Sequence, residues 1–138
     1  MRIGFIAFVF FILLGHLARA NDFNFIDGTY DMPIKIGETD FIDVVELKTS
    51  KINYYQAQLT GTLTVPNAFT ADLDGEVRLT LWARLYTFNF TITARENGQE
   101  FKVKYVGEFI SDDQTRMEGS AYLEDGKLLG HFTAVNRK

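Results

Sequence analysis

The stretch that decides the fold runs from residue 91 to residue 112 and reads TITARENGQEFKVKYVGEFISD. Apolar and polar residues alternate through it, with one interruption at Asn97-Gly98. Asn-Gly between two alternating runs is a strong sign of a two-residue type I′ hairpin, because both central residues must adopt positive φ. That turn sets Phe90 opposite Tyr105 and keeps apolar residues facing apolar residues. The stretch therefore predicts two paired antiparallel strands.

A second hairpin is predicted downstream, at Asp125-Gly126, for the same reason. It places Leu123 opposite Leu128. Between the two hairpins, the polar residues 111–115 predict a further turn. Four strands therefore follow one another along the chain, each pairing with the next.

Alternating runs upstream predict more strands, over residues 26–36, 55–65 and 73–83. From Tyr86 onward the apolar positions change from odd to even numbers. This change predicts a tight turn near Ala83-Arg84, with Leu81 opposite Tyr86.

The whole pattern predicts an all-β protein, an antiparallel meander of seven or eight strands. Residues 40–48 are ambiguous, because they fit both one short helix behind an Asp40 cap and a strand. Closing the meander into a small up-and-down barrel removes its two unpaired edges. Recurring glycines on the apolar face, such as Gly75 and Gly107, would let the strands coil enough to close.

The first strand contains the residues FIDGTYD, from Phe25 to Asp31. Followed by a single meander, this segment resembles the first strand of the calycin barrels, the group of lipocalins and fatty-acid-binding proteins, which carries Gly-x-Trp there. Tyr30 stands in place of the tryptophan. The resemblance implies a calycin-like or lipocalin-like barrel and assigns no site residues.

The N-terminal residues predict export. Met1-Arg2, the apolar run IGFIAFVFFILL and Ala18-Arg19-Ala20 fit a secretory signal peptide over 1–20, which leaves 21–138 as one barrel domain. The chain has no cysteine. Since small secreted eukaryotic domains usually depend on disulfides, this predicts the periplasm of a Gram-negative bacterium or its exterior. Without Arg2 and Arg19 the net charge falls from −4 to −6, which disfavours nucleic acid as a partner.

Patterns for catalysis and metal binding are sparse. His131, the one histidine after the predicted signal peptide, shares the polar face with Ser120 but has no nearby oxyanion loop. Asp72, Asp74 and Glu76 lack the spacing of a calcium loop. The sequence therefore predicts no catalytic residue, no metal and no cofactor. Enzyme activity stays open, because a barrel that acts by shaping an apolar substrate would leave no motif.

Aromatic residues dominate the predicted inner face, together with Gly and Ala. Barrels of about eight strands either fill their interior with side chains or leave room for one small ligand. A small apolar or aromatic ligand in the interior is the first functional hypothesis. Its candidate binding residues are Tyr30, Tyr55, Tyr86, Phe88, Phe90, Phe101, Tyr105, Phe109 and Phe132.

Two other functions compete with it. A filled barrel could act through its surface as an inhibitor or an envelope protein-interaction module, with Tyr54, Trp82 and Tyr122 of the polar face as anchors. An outer-membrane barrel would instead turn its apolar face to lipid. The Thr, Gln and paired charges of the polar face suit water, so the sequence predicts a protein that is not embedded in a membrane.

Overall fold

The computed structural model describes residues 23–111 and 114–138, and it is an eight-stranded barrel. One turn of 3-10 helix, Asn24–Ile26, precedes the strands. The strands are β1 (Gly28–Ile36), β2 (Thr39–Asn53), β3 (Gln56–Val65), β4 (Phe69–Thr80), β5 (Leu85–Glu96), β6 (Gln99–Ile110), β7 (Arg116–Leu123) and β8 (Leu128–Asn136). Each pairs antiparallel with the next, and β8 pairs with β1, so the predicted closed meander is confirmed. The predicted signal peptide and the centre of the predicted turn at 111–115 lie outside the described residues.

The hairpin at Asn97-Gly98 has the predicted register. The two turn residues have φ of 53° and 79°, as a type I′ turn requires. Phe90 lies opposite Tyr105. The pairing of strands in chain order follows from this turn and its neighbours, because a hairpin fixes the register of both its strands locally.

Gly75 and Gly107 lie where neighbouring strands approach most closely. A Cβ on Gly75 would lie 1.9 Å from the Asn89 carbonyl oxygen, and a Cβ on Gly107 would lie 2.1 Å from the Glu118 carbonyl oxygen. No side chain can occupy such space. The glycines therefore permit the coiling that closes the barrel.

Residues 40–48, for which helix and strand were both open, belong to β2. One edge of this segment pairs with β1, and from Val44 onward the other edge pairs with β3. Two neighbours thus satisfy its backbone hydrogen bonds, which outweighs any local helical preference. Asp43, Val45 and Leu47 face inward as a result.

The predicted turn near Ala83-Arg84 is present, but its predicted two-residue length and register are wrong. Residues 81–84 form a longer connection, in which Arg84 has a positive φ of 50°. Tyr86 lies opposite Leu79 instead of Leu81. Leu81 is therefore exposed in the connection rather than paired in β4.

The pairing of Leu123 with Leu128 is also wrong. Tyr122 lies opposite Leu128, because the register shifts by one residue after Ala121, with Leu129 as the extra residue. This is a β-bulge. It leaves Leu128 exposed and Leu129 packed against the core.

Most apolar residues of the alternating pattern lie inside the barrel, which has two different ends. We call one the plugged end; it carries residues 23–26 and the turns at 54–55 and 81–84. We call the other the hairpin end; it carries the turns at 37–38, 66–68, 97–98 and 124–127.

Candidate functional site

The plugged end is sealed by apolar side chains from residues 23–26. Phe23 and Ile26 are almost fully buried. The ring of Tyr86 meets those of Phe23 and Phe25 edge-on, at centroid distances of 5.8 and 4.8 Å. Edge-to-face contacts of this kind are favourable, so these rings close the barrel interior at this end.

Hydrogen bonds hold the plug in place. The Asp27 carboxylate accepts from Thr49 N at 2.8 Å and from Thr49 Oγ1 at 2.7 Å. The buried Tyr30 hydroxyl donates to the Ile26 carbonyl at 2.6 Å. Burial raises the pKa of Tyr30 well above its usual value, while its hydrogen bond with Asn136 acts in the opposite direction. Tyr30 therefore stays a neutral donor near neutral pH.

Five rings form the aromatic cluster in the interior. Its members are Phe88, Phe90, Tyr105, Phe109 and Phe132. Tyr105 stacks on Phe90 at 4.8 Å between centroids and contacts Phe132 at 5.6 Å. All five side chains are buried.

Half-buried apolar side chains ring the hairpin end, and each of the four hairpins supplies at least one. We call this set the rim: Ile36, Phe41, Val65, Phe69, Phe101, Leu123 and Leu129. The rings of Phe69 and Phe101 meet nearly at right angles, 5.8 Å apart. The rim side chains keep part of their surface accessible, whereas Phe23 and Ile26 at the plugged end are almost fully buried.

Two ladders weaken toward the hairpin end. Between β1 and β8, the pairs at residues 32 and 33 are missing, where Pro33 has no N–H to donate. Between β4 and β5, pairing ends at Leu73 opposite Ile92, although both strands continue. The β1–β8 and β4–β5 junctions lie four strands apart. They therefore divide the hairpin end into one half formed by β1–β4 and another formed by β5–β8.

A groove of about 450 Å³ lies at the β1–β8 junction, and we call it the seam groove. Ile34, Phe41 and Phe132 line it on the inner side. A second groove, of about 410 Å³, lies between β4 and β5. Phe132 also belongs to the aromatic cluster, so the seam groove and the interior share this side chain.

Asp43 places a carboxyl group inside this apolar barrel. The residue is only 3% exposed, and its buried Oδ1 accepts no hydrogen bond from the described part of the chain. Burial raises the pKa of Asp43 to about 6. The pKa of Tyr105 is also raised, mainly by burial and further by the charge of Asp43. Asp43 lies two residues along β2 from the rim residue Phe41, between the rim and the cluster.

The sequence missed Asp43 as a site residue. The signal was present, because Phe41, Asp43, Val45 and Leu47 alternate at odd positions. A charged residue inside such a set breaks the strand pattern, and the adjacent Val44 made a helix equally plausible. The sequence pattern therefore leaves Asp43 in a segment that fits both helix and strand and does not show that its carboxyl group is buried.

Most predicted interior residues lie inside. Tyr30 and the five residues of the aromatic cluster are buried, whereas Tyr86 and Phe101 are half-buried at opposite ends of the barrel. Tyr55 was placed wrongly. It is 52% exposed in the turn before β3, because β3 begins at Gln56, one residue later than the pattern suggested.

The three predicted surface residues differ in accessibility. Trp82 is 90% exposed and lies in the 81–84 connection rather than on a strand. Tyr54 is exposed in the turn before β3, with Lys51 Nζ 5.1 Å from its ring centroid. Tyr122 is half-buried on the outside of β7.

Ser120 and His131 meet on the outer face, as their shared polar face suggested. Ser120 Oγ lies 2.7 Å from His131 Nδ1, and the contact is exposed. No carboxylate of the described chain orients the imidazole ring. The pair therefore lacks the third group and the enclosed site that a nucleophilic mechanism uses.

Residues 23–111 and 114–138 contain no group of three or more His, Asp or Glu able to hold a metal ion. Over the same residues, no helix is long and apolar enough to cross a membrane. The sequence matches no protein-family model and no curated protein.

Proposed function

We propose that the protein binds a small apolar or aromatic molecule in its barrel and that this molecule enters at the hairpin end. The observation that carries the proposal is the difference between the two ends. Residues 23–26 lie across the interior at the plugged end, where hydrogen bonds hold them, whereas the described chain has turns and a ring of half-buried apolar residues at the hairpin end. Concave sites lined by apolar and aromatic groups are typical of small-molecule binding.

The weakened ladders favour entry at the same end. The seam groove, at about 450 Å³, falls within the usual size range of ligand sites, roughly 300–1,000 Å³. Separation of the two halves there would break few backbone hydrogen bonds. We further propose that the protein is exported and acts in the periplasm or outside the cell, on the strength of the signal-peptide pattern over residues 1–20.

Binding of the fluorescent probe N-phenyl-1-naphthylamine tests this function. We expect saturable binding to the exported protein purified without detergent. Phe69→Asp, which puts a charge on the rim, should weaken binding about tenfold or more, because the ligand would desolvate that charge. Leu81→Asp makes the same charge change at the plugged end and should leave binding unchanged. Circular dichroism checks that both variants fold.

Native mass spectrometry of the same material gives a second readout. A reproducible excess mass that extracts into organic solvent would supply the natural ligand. Absence of saturable probe binding, together with the mass of the bare chain, would overturn the proposal.

A second candidate function is docking of a protein partner at the plugged end. Six large apolar residues are exposed there on two neighbouring turns and the strand ends beside them: Ile52, Tyr54, Tyr55, Leu81, Trp82 and Leu85. The turns are adjacent, since Leu79 N donates to the Tyr55 carbonyl at 2.8 Å. Lys51 and Arg84 are the charged residues of these segments, in a chain of net charge −4. Exposed aromatic groups beside cations favour a partner with an acidic surface.

Site-specific photo-crosslinking in the native host tests this candidate. A photoreactive amino acid at Trp82 should capture one defined protein, and the same group at the exposed Thr93, toward the hairpin end, should not. Equal capture at both positions, or none at Trp82, would exclude a dedicated partner at this surface.

A further inference from the structure

We propose that Asp43 is the polar anchor of the barrel's ligand, and that the ligand is an apolar amine whose N–H group binds the buried carboxylate. This inference rests on the proposed binding function and narrows its ligand class. It starts from an unusual feature of the interior. Among the described residues, Asp43 and Asn136 are the buried polar side chains, and only Asp43 leaves a buried atom without a hydrogen bond.

The two buried polar groups have different surroundings. Asn136 is engaged at the plugged end, where its Nδ2 donates to the Asp27 carbonyl at 3.4 Å and its Oδ1 accepts from Lys138 N at 3.1 Å. Asp43 lies toward the other end, among apolar side chains. Buried carboxylates in proteins are nearly always paired with a donor. Because the described chain supplies none to Oδ1, the donor is assigned to the ligand.

Tyr105 connects the carboxylate to the surface on which an apolar body would pack. Burial raises its pKa, and the charge of Asp43 raises it further. Its ring also stacks on Phe90 and contacts Phe132. A ligand with its nitrogen at Asp43 would therefore place an adjoining ring or chain against the aromatic cluster.

The seam groove opens close to this position. Phe41, which lines it, lies two residues from Asp43 on the same face of β2, and Phe132 joins it to the cluster. An ammonium group reaching Asp43 would form a charge-assisted hydrogen bond, which is about twice as strong as a neutral one. A neutral N–H or O–H group would donate a weaker hydrogen bond to the carboxylate, and a molecule without a donor would leave it unpaired, so the site favours amines.

Two probes that differ only at the polar group test the assignment: 1-naphthylmethylamine and 1-naphthylmethanol. At pH 7.5 we expect the protein to bind the amine at least about tenfold more tightly than the alcohol. Asp43→Asn should abolish this preference while the alcohol still binds, which also shows that the variant is folded. Asp31→Asn removes an exposed carboxylate from the neighbouring strand β1 and should leave the preference unchanged.

The outcomes separate the two proposals. Asp43 is not the anchor if both probes bind with equal affinity, or if the amine still binds more tightly than the alcohol in Asp43→Asn. In either case the binding function stands. If neither probe binds saturably, the binding function itself fails. An advantage lost equally in Asp43→Asn and Asp31→Asn would reflect overall charge and would also overturn the assignment.

Discussion

Asp43→Asn tests whether the buried carboxyl group destabilises the folded barrel. The pKa of Asp43 is raised from its ordinary value of 3.8 to about 6 in the folded protein, and the cause is burial. A difference of one pKa unit between folded and unfolded states corresponds to about 1.4 kcal/mol. The shift of about two units therefore costs the folded state about 3 kcal/mol when the group is ionised.

Because burial raises the pKa of Asp43, the destabilisation by this residue grows as the pH rises. Below pH 3.8 the carboxyl is protonated in both states, so burial costs nothing through ionisation. As the pH rises from 3.8 to about 6, the unfolded chain loses its proton first and the folded state loses stability. Above pH 6 the destabilisation reaches its full value. Asn cannot ionise, so the variant should gain about 3 kcal/mol at pH 8 and less than about 1 kcal/mol at pH 4.

Urea unfolding followed by far-UV circular dichroism measures both values. Far-UV dichroism is the suitable signal because Trp82, the one tryptophan, is already exposed in the folded protein. An equal gain at pH 4 and pH 8 would show that hydrogen bonding by the amide rather than loss of ionisation is responsible. No gain at pH 8 would refute the reasoning. The same substitution should remove the preference for an amine, so stability would rise as binding selectivity falls.

Three further predictions test other parts of the structure. Gly75→Ala should destabilise the barrel by at least about 3 kcal/mol in urea unfolding, because the added Cβ would overlap the backbone of β5. Gly98→Ala has open space around it and should lower the free energy of unfolding by only about 1 kcal/mol. Equal losses in the two variants would refute the close approach of β4 and β5 at Gly75. Tyr30→Phe should cost about 1–1.5 kcal/mol and speed amide exchange over residues 23–26; unchanged exchange would show that its hydroxyl does not hold the plug. A hydrogen bond from Arg137 lowers the pKa of Asp31. Asp31→Asn should therefore destabilise the barrel slightly above pH 4 and have no such effect below the lowered pKa. A loss of stability that persists in 1 M salt would contradict an exposed ion pair.

The sequence predicted those parts of the fold that depend on local turn chemistry. Asn97-Gly98 fixed a register because its backbone conformation is available to few other residue pairs. The 81–84 connection carries no such residues, and Arg84 adopts a positive φ without the signal of Gly or Asn. The bulge after Ala121 is likewise set by packing between strands, which a period of two cannot reveal.

The candidate site was predictable only in its apolar part. The aromatic cluster follows from alternation, since large apolar residues on one face of a closed sheet must lie inside. The rim depends on where each strand ends, and strand ends are poorly marked by pattern. Asp43 was missed because burial of a carboxylate opposes the hydrophobic preference on which the prediction rests. Tyr55 was misplaced by extending a correct alternation one residue too far.

The β1–β8 junction imposes an order on folding. Arg137 joins Asp31 through hydrogen bonds as short as 2.7 Å, across 106 residues of sequence, whereas every other pair of strands is adjacent along the chain. Loop-closure entropy makes such a distant contact slow to form compared with the hairpins. β1 must therefore wait with one edge unpaired until β8 has been synthesised and folded. During that interval the nascent chain has two open edges, which makes the last step of barrel closure the step most exposed to misassembly.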